Sequence, residues 1–196
     1  DLIFATLALF VLVPVIVAVA LVLKLNQPFA PVFFTQRRIG RGGKIFRCIK
    51  FRTMVPDAER ILRDWLNQHP HIREEFMKDF KLRHDPRIVP GVGKILREAS
   101  LDELPQLINI IKGDMSVVGP RPIIEEEAEK YGEYFEQLIR VKPGLTGLWQ
   151  VSGRNDVTYP ERVQLDMLYI RNFSIMRDVY IIAKTLGVVM QQSGAY

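Results

Sequence analysis

The stretch from Ser100 to Pro122 reads S-L-D-E-L-P-Q-L-I-N-I-I-K-G-D-M-S-V-V-G-P-R-P. Two adjacent carboxylates, Asp102 and Glu103, stand at its head. One arginine, Arg121, sits between two prolines at its tail. Between them Leu104, Leu107, Ile108 and Ile111 recur at helical spacing. Such a set can hold a metal and a phosphate. Magnesium takes one or two carboxylates and fills its shell with water and phosphate oxygens. An arginine grips phosphate oxygens through its planar fork. A carboxylate can also attack phosphorus, splitting one displacement into two through an acyl phosphate. The start of a helix favours the anions involved.

The same acids fit a purely structural role. Ser100-Leu101-Asp102-Glu103 matches a capping box, with Ser100 at the cap and Glu103 three residues on. Pro105 is awkward in that register because it lacks an N–H. A helix beginning at Asp102 keeps Pro105 in the free first turn and makes Asp102 itself a cap. On spacing alone the cap is the better fit. Arg121 is equally compatible with a surface position in a proline turn.

The elements around this stretch decide where it can work. Leu2 to Leu23 carries no charge, and as a helix it would extend about 33 Å, close to bilayer thickness. Pro14 in its middle removes a backbone hydrogen bond, so a kink is expected there. The helix either spans with a bend, or breaks at Pro14 and returns to the same face. Lys24 marks its exit, and positive charge favours the cytoplasmic side. Val32 to Thr53 alternates short apolar runs with basic residues around Gly40-Arg41-Gly42-Gly43, a hairpin pattern.

Asp57 to Lys81 reads as helix interrupted at His69-Pro70-His71, whose histidines are surface residues rather than metal ligands. Ile123 to Arg140 reads as a charged helix with an acidic start, Glu125 to Glu127. Two glycine-rich or polar loops follow, Lys142 to Gln150 and Ser152 to Asp156, of the kind that lines ligands or merely connects. Tyr159 to Arg171 and Ser174 to Met190 return to helix, the last with an apolar side suited to a core or a membrane interface. The fold expected is therefore α+β and mainly helical, with a membrane helix over 1–25 and a catalytic domain over 26–196.

The net charge is +5 and the pI near 9.4. From Leu2 to Pro56 there is no Asp or Glu, while eight Lys and Arg fall there. Beside an apolar helix, such a patch suits anionic headgroups, each cation contributing roughly 1 kcal/mol. A single cysteine, Cys48, excludes an internal disulfide.

Several motifs together resemble one known family. These are Lys50-Phe51-Arg52-Thr53-Met54, Asp85-Pro86-Arg87, Arg97 through Gln106, Gly113 through Pro122, Lys142 through Gly147, and Ser152-Gly153-Arg154-Asn155. In order and nearly end to end, they are similar to the bacterial sugar transferases, the monotopic polyprenyl-phosphate phosphoglycosyl transferases. The resemblance implies transfer of a sugar-1-phosphate from a UDP-sugar to undecaprenyl phosphate, with release of UMP. It implies Asp102 as nucleophile of a covalent phosphosugar intermediate and Glu103 as a partner in holding Mg²⁺. It implies Arg121 as phosphate-binding, and Arg52, Arg97, Asp166 and Arg154 as further polar site positions. It implies a re-entrant helix broken at Pro14, amphipathic interfacial helices, and a site on the cytoplasmic face of the bacterial inner membrane. Many members carry Ser before that proline, where this chain has Val13.

The ending Ser193-Gly194-Ala195-Tyr196 resembles longer members that start hexose-linked polysaccharides such as O-antigen and exopolysaccharide. The chain is thus expected to be the C-terminal part of a longer protein, with galactose or glucose as the sugar. Homodimerisation is compatible with the resemblance but is not legible in the residues. Nucleic acid is not among the expected partners. Two other readings stay open. One is a membrane-anchored glycosyltransferase displacing UDP directly. The other is a non-enzymatic module binding anionic lipid.

Overall fold

The computed structural model describes residues 1–80, 82, 84–153 and 157–191. Arg154, expected at the site, lies outside the described residues. Ten α-helices and four short strands form one mainly helical α+β unit among the described residues.

Helix α1 (Leu2–Asn26) is a single helical element with Pro14 inside it. It is long and apolar enough to cross a membrane. One side packs on the rest of the chain. Ala5 joins a core with Phe46, Leu107 and Ile110, while Val19 and Leu23 join a second with Phe51 and Leu96. The other side carries twelve exposed large apolar residues, among them Ile3, Phe10 and Leu25 at about 80% exposure. Each would gain roughly 1.5–3 kcal/mol from leaving water. That face could anchor to a membrane.

The basic segment forms the hairpin its pattern predicts. Strands β1 (Phe33–Ile39) and β2 (Ile45–Phe51) pair antiparallel, with Ile39 opposite Ile45 across a glycine turn. Alternation buries Phe46 and Cys48 in the core that holds Ala5, and Phe51, of opposite parity, packs with Val19, Leu23 and Leu96. After β2 the chain leaves on an excursion of two helices, α2 (Ala58–Gln68) and α3 (Pro70–Asp79). They are separated at His69, whose ring packs 4.4 Å from Trp65. The base of the excursion is tied by a bridge between Met54 and Ile88 and by the Val89 N–H donating to the Thr53 carbonyl.

Helices α4 (Val92–Glu98) and α5 (Gln106–Lys112) flank the acid pair, and strand β3 (Ser116–Val118) follows. The segment read as one helix over 123–140 is broken. A 3-10 turn at Glu125–Glu127 leads to α6 (Ala128–Tyr131), a second 3-10 turn, and α7 (Phe135–Leu138). Gly132 causes the interruption by taking φ 49° and ψ −125°, outside helical geometry. Strand β4 (Gly144–Thr146) pairs parallel with β3, and α8 (Leu148–Ser152), α9 (Tyr159–Arg171) and α10 (Ile175–Gln191) complete the fold.

Candidate active site

The acid pair sits in a tight connection. After α4, Ser100 adopts a left-handed backbone with φ 55°, and Leu101–Glu103 form one 3-10 turn. No side-chain cap bond forms at Ser100 or at Pro105, and regular helix begins only at Gln106. This corrects the capping box and the helix start at Asp102. A capping residue needs extended backbone, which Ser100 lacks, and Pro105 delays the first helical bonds.

What the turn does is place the two carboxylates in different settings. Glu103 Oε1 accepts from Lys50 Nζ at 2.6 Å and from Arg121 Nη1 at 3.2 Å. Burial would raise its pKa, but the charges and hydrogen bonds of Lys50 and Arg121 outweigh it and hold Glu103 well below the usual range. Asp102 is 9% exposed, and among the described residues no hydrogen bond or ion pair holds its carboxylate. Burial pushes its pKa up to about 6, aided by the Glu103 charge and opposed by Lys50, Arg97 and Arg121. One acid is thus a fixed, doubly clamped anion. Its neighbour is a buried carboxylate with oxygens to spare, inside a cationic ring.

Arg97 reaches this ring from α4. Its Nε donates to Thr53 Oγ1 at 3.0 Å, and the Asp102 charge raises a pKa that burial lowers. Arg121 is held by backbone. The Gly119 N–H donates to the Thr146 carbonyl at 2.9 Å, and the Gly144 N–H to the Pro120 carbonyl at 2.7 Å. The approach is so close that a Cβ on Gly144 would lie 2.1 Å from Gly119 N. The glycine-rich segment 142–147 is therefore the brace of the Arg121 loop.

Two expected site residues fall elsewhere. Arg52 donates from Nε to the Pro31 carbonyl at 3.0 Å and lies 5.7 Å from the Phe34 ring, bonded to neither acid. Asp166 is fully buried in the core around Tyr131, Tyr159 and Met167, accepting from Tyr131 Oη at 2.8 Å. Burial lifts its pKa to about 7. Conversely, Lys50 belongs to the site and was not singled out for it. The signal was present, since Lys50 lies in an acid-free basic hairpin and opens the Lys50-Phe51-Arg52-Thr53-Met54 motif. Arg38 and Glu127 gave less warning, because their pairing spans 89 positions.

Asp102 and Glu103 can hold a divalent cation. Among the described residues no group of three His, Cys, Asp or Glu side chains gathers, so such an ion would rely on these two and on ligand oxygens. The donor set is the one magnesium favours.

The model of one family, described as bacterial sugar transferase, matches residues 1–192. The chain belongs to the bacterial sugar transferase family. It is similar to a Salmonella typhimurium protein named undecaprenyl-phosphate galactose phosphotransferase, 49% identical over 88% of this chain and 36% of that one. An exopolysaccharide production protein, ExoY, of Sinorhizobium fredii is 45% identical over all of this chain and 86% of its own length. An Escherichia coli protein named UDP-glucose:undecaprenyl-phosphate glucose-1-phosphate transferase is 36% identical over all of this chain and 40% of its own. This chain thus spans little more than a third of the Salmonella relative and most of ExoY. The names of the family and of the Salmonella and Escherichia coli relatives are those of enzymes: a sugar transferase, a galactose phosphotransferase and a glucose-1-phosphate transferase.

Proposed function

We propose that the chain transfers a hexose-1-phosphate from a UDP-sugar to undecaprenyl phosphate through a covalent phosphosugar on Asp102. The observation that carries this reading is the unequal pair: Glu103 clamped by Lys50 and Arg121, Asp102 buried and unclamped. An Asp102 carboxylate oxygen attacks the β-phosphorus. The bond to the bridging oxygen breaks and UMP leaves with the electron pair. A phosphate oxygen of undecaprenyl phosphate then attacks the same phosphorus, and the Asp102 carboxylate is released. Lys50, Arg97 and Arg121 balance negative charge that grows on the phosphoryl oxygens in both steps. Burial strengthens their effect by excluding water. Magnesium, held by Asp102 and Glu103, would add Lewis-acid charge on the diphosphate.

The setting agrees with a lipid acceptor. Both ends of α1 attach to the catalytic unit: the Asp1 carboxylate accepts from Ser116 Oγ and the Val117 N–H, and Leu23 packs with Phe51 and Leu96. We take these two attachments to keep both termini of the helix on one side of a bilayer. This supports a re-entrant, same-face arrangement in the bacterial inner membrane, with the site on the cytoplasmic face. The names of the relatives favour galactose or glucose as the sugar and polysaccharide initiation as the role.

The test is purified protein with Mg²⁺, UDP-galactose or UDP-glucose, and undecaprenyl phosphate. UMP is the expected nucleotide product, and intact mass should show a phosphohexose adduct that Asp102→Asn abolishes. Release of UDP without an adduct would identify direct displacement instead.

A further inference from the structure

A lipid-linked acceptor must bring its phosphate from the bilayer surface to Asp102. We infer that Lys24 and Arg52 form the landing site for that phosphate, with Phe29 and Phe34 receiving the first units of the polyprenyl chain. The inference rests on the proposed function and deepens it by separating the acceptor's contacts from the donor's.

Two cations bond to successive carbonyls where α1 gives way to the hairpin. Lys24 Nζ donates to the Ala30 carbonyl at 3.4 Å, and Arg52 Nε donates to the next carbonyl, Pro31, at 3.0 Å. Among the described residues neither pairs with a carboxylate. The Arg52 contact uses only Nε, which leaves its two terminal nitrogens for an anion. Exposed hydrocarbon accompanies them. Leu25, next to Lys24 in the chain, is 82% exposed, Phe29 wholly so, and Phe34, whose ring lies 5.7 Å from the Arg52 guanidinium, 38%. Cations without a carboxylate partner among the described residues, beside exposed apolar side chains, match a ligand that is a phosphate at one end and hydrocarbon at the other. The nucleotide donor has no such hydrocarbon end, whereas the acceptor does.

The corner also connects to the acid pair. The Arg52 N–H donates to the Val32 carbonyl, extending the β1–β2 ladder one step. Arg52 and Lys50 therefore share one face of the strand, about 7 Å apart along it. Lys50 is the residue that clamps Glu103. A phosphate at Arg52 stands one side chain from the site.

The experiment compares wild type with Lys24→Ala/Arg52→Ala and with Phe34→Ala in neutral detergent. The expected result is at least a tenfold rise in KM for undecaprenyl phosphate in the double variant and a smaller rise in Phe34→Ala. The loss should not be read in the acceptor-free adduct formed from UDP-sugar. An unchanged KM overturns the inference, as does adduct formation slowed as much as turnover, which would assign the cations to the donor. A defect seen only as lost partition onto phosphatidylglycerol vesicles, and absent in neutral detergent, assigns them to bulk headgroups and also overturns it. Equilibrium binding of undecaprenyl phosphate needs no turnover. If wild type makes no adduct and releases no UMP, the phosphotransfer reading fails, yet tenfold weaker binding by the double variant still upholds the landing site and equal binding sinks it.

Discussion

Arg38 Nη1 donates to the Pro122 carbonyl at 2.8 Å and meets Glu127 Oε2 at 3.3 Å. The other Glu127 contact is the Ile124 N–H, at 2.9 Å to the same oxygen. The backbone from Pro122 to Ile124 is thus tied to one half-buried ion pair, and the Ile39 N–H adds a bond to the Ile123 carbonyl. Gly144 braces the Arg121 loop from one side and Arg38 from the other. Arg38 is a positioning residue, acting through Arg121. Its loss should lower kcat/KM about 10- to 100-fold, roughly 1.4–2.7 kcal/mol. Arg38→Lys keeps the charge but loses the fork that serves Gln36, Pro122 and Glu127 together. It should restore less than half of the lost activity on the logarithmic scale. Full recovery by lysine would mean that only the charge matters.

The acid pair makes the chemistry depend on pH in a stated direction. Asp102 must be ionised to attack, and its pKa lies at about 6. The rate of adduct formation should fall about tenfold per pH unit below the Asp102 pKa and be flat above it, and Mg²⁺ held by the carboxylate should move that limb to lower pH. Glu103 contributes no such limb, because Lys50 and Arg121 keep it ionised throughout. Removing a cation moves the limb. In Lys50→Ala the Asp102 carboxylate loses a favourable charge, so the limb should shift to higher pH. A limb that stays in place would separate it from Asp102.

Much of this was legible in the residues, and what was not has physical causes. The hairpin and the outer helices were readable because strand alternation and helical periodicity are local. The acid pair was recognisable as two residues, but not as two different environments, since those depend on Lys50 and Arg121 arriving from 53 and 18 positions away. The capping box failed because Ser100 takes a left-handed backbone that no residue-type pattern announces. The long helix over 123–140 failed because Gly132 bends it, a single glycine that periodicity tolerates. The 142–147 glycines fit a ligand loop and a plain connection equally well. Their purpose, backbone-to-backbone contact with Gly119, is visible only in three dimensions.

That contact gives a prediction on the brace itself. A Cβ on Gly144 would lie 2.1 Å from Gly119 N and 2.5 Å from the Thr146 carbonyl, both backbone atoms that cannot swing aside. Gly144→Ala must therefore shift the Arg121 loop. Activity should fall by two orders of magnitude or more, with a lowered melting temperature. Gly187 in α10 is the control, because a Cβ there meets nothing within 4 Å. Gly187→Ala should leave turnover intact and add up to about 1 kcal/mol through helix propensity. Equal damage from both substitutions would show that close packing at Gly119 is not the cause.

Asp166 carries a stability signature in place of a catalytic one. It is fully buried, Tyr131 Oη donates to its Oδ2, and its Oδ1 has no hydrogen-bond partner among the described residues. Burial raises its pKa to about 7, against the Tyr131 bond and the Arg162 charge. In the unfolded chain an aspartate ionises near pH 3.9. Between those two values the folded state binds the proton and the unfolded state does not. Stability contributed by the neutral acid is therefore complete below about pH 4 and is lost as pH rises toward 7, by an amount on the order of 4 kcal/mol. Asparagine is uncharged at every pH, and its carbonyl can still accept from Tyr131. Asp166→Asn should thus raise the melting temperature at pH 8 while changing it little near pH 4.5. The measurement is thermal unfolding of both proteins across that range in one detergent. Parallel curves would assign the pH dependence to another group, and a large loss of turnover at unchanged stability would return Asp166 to the active site.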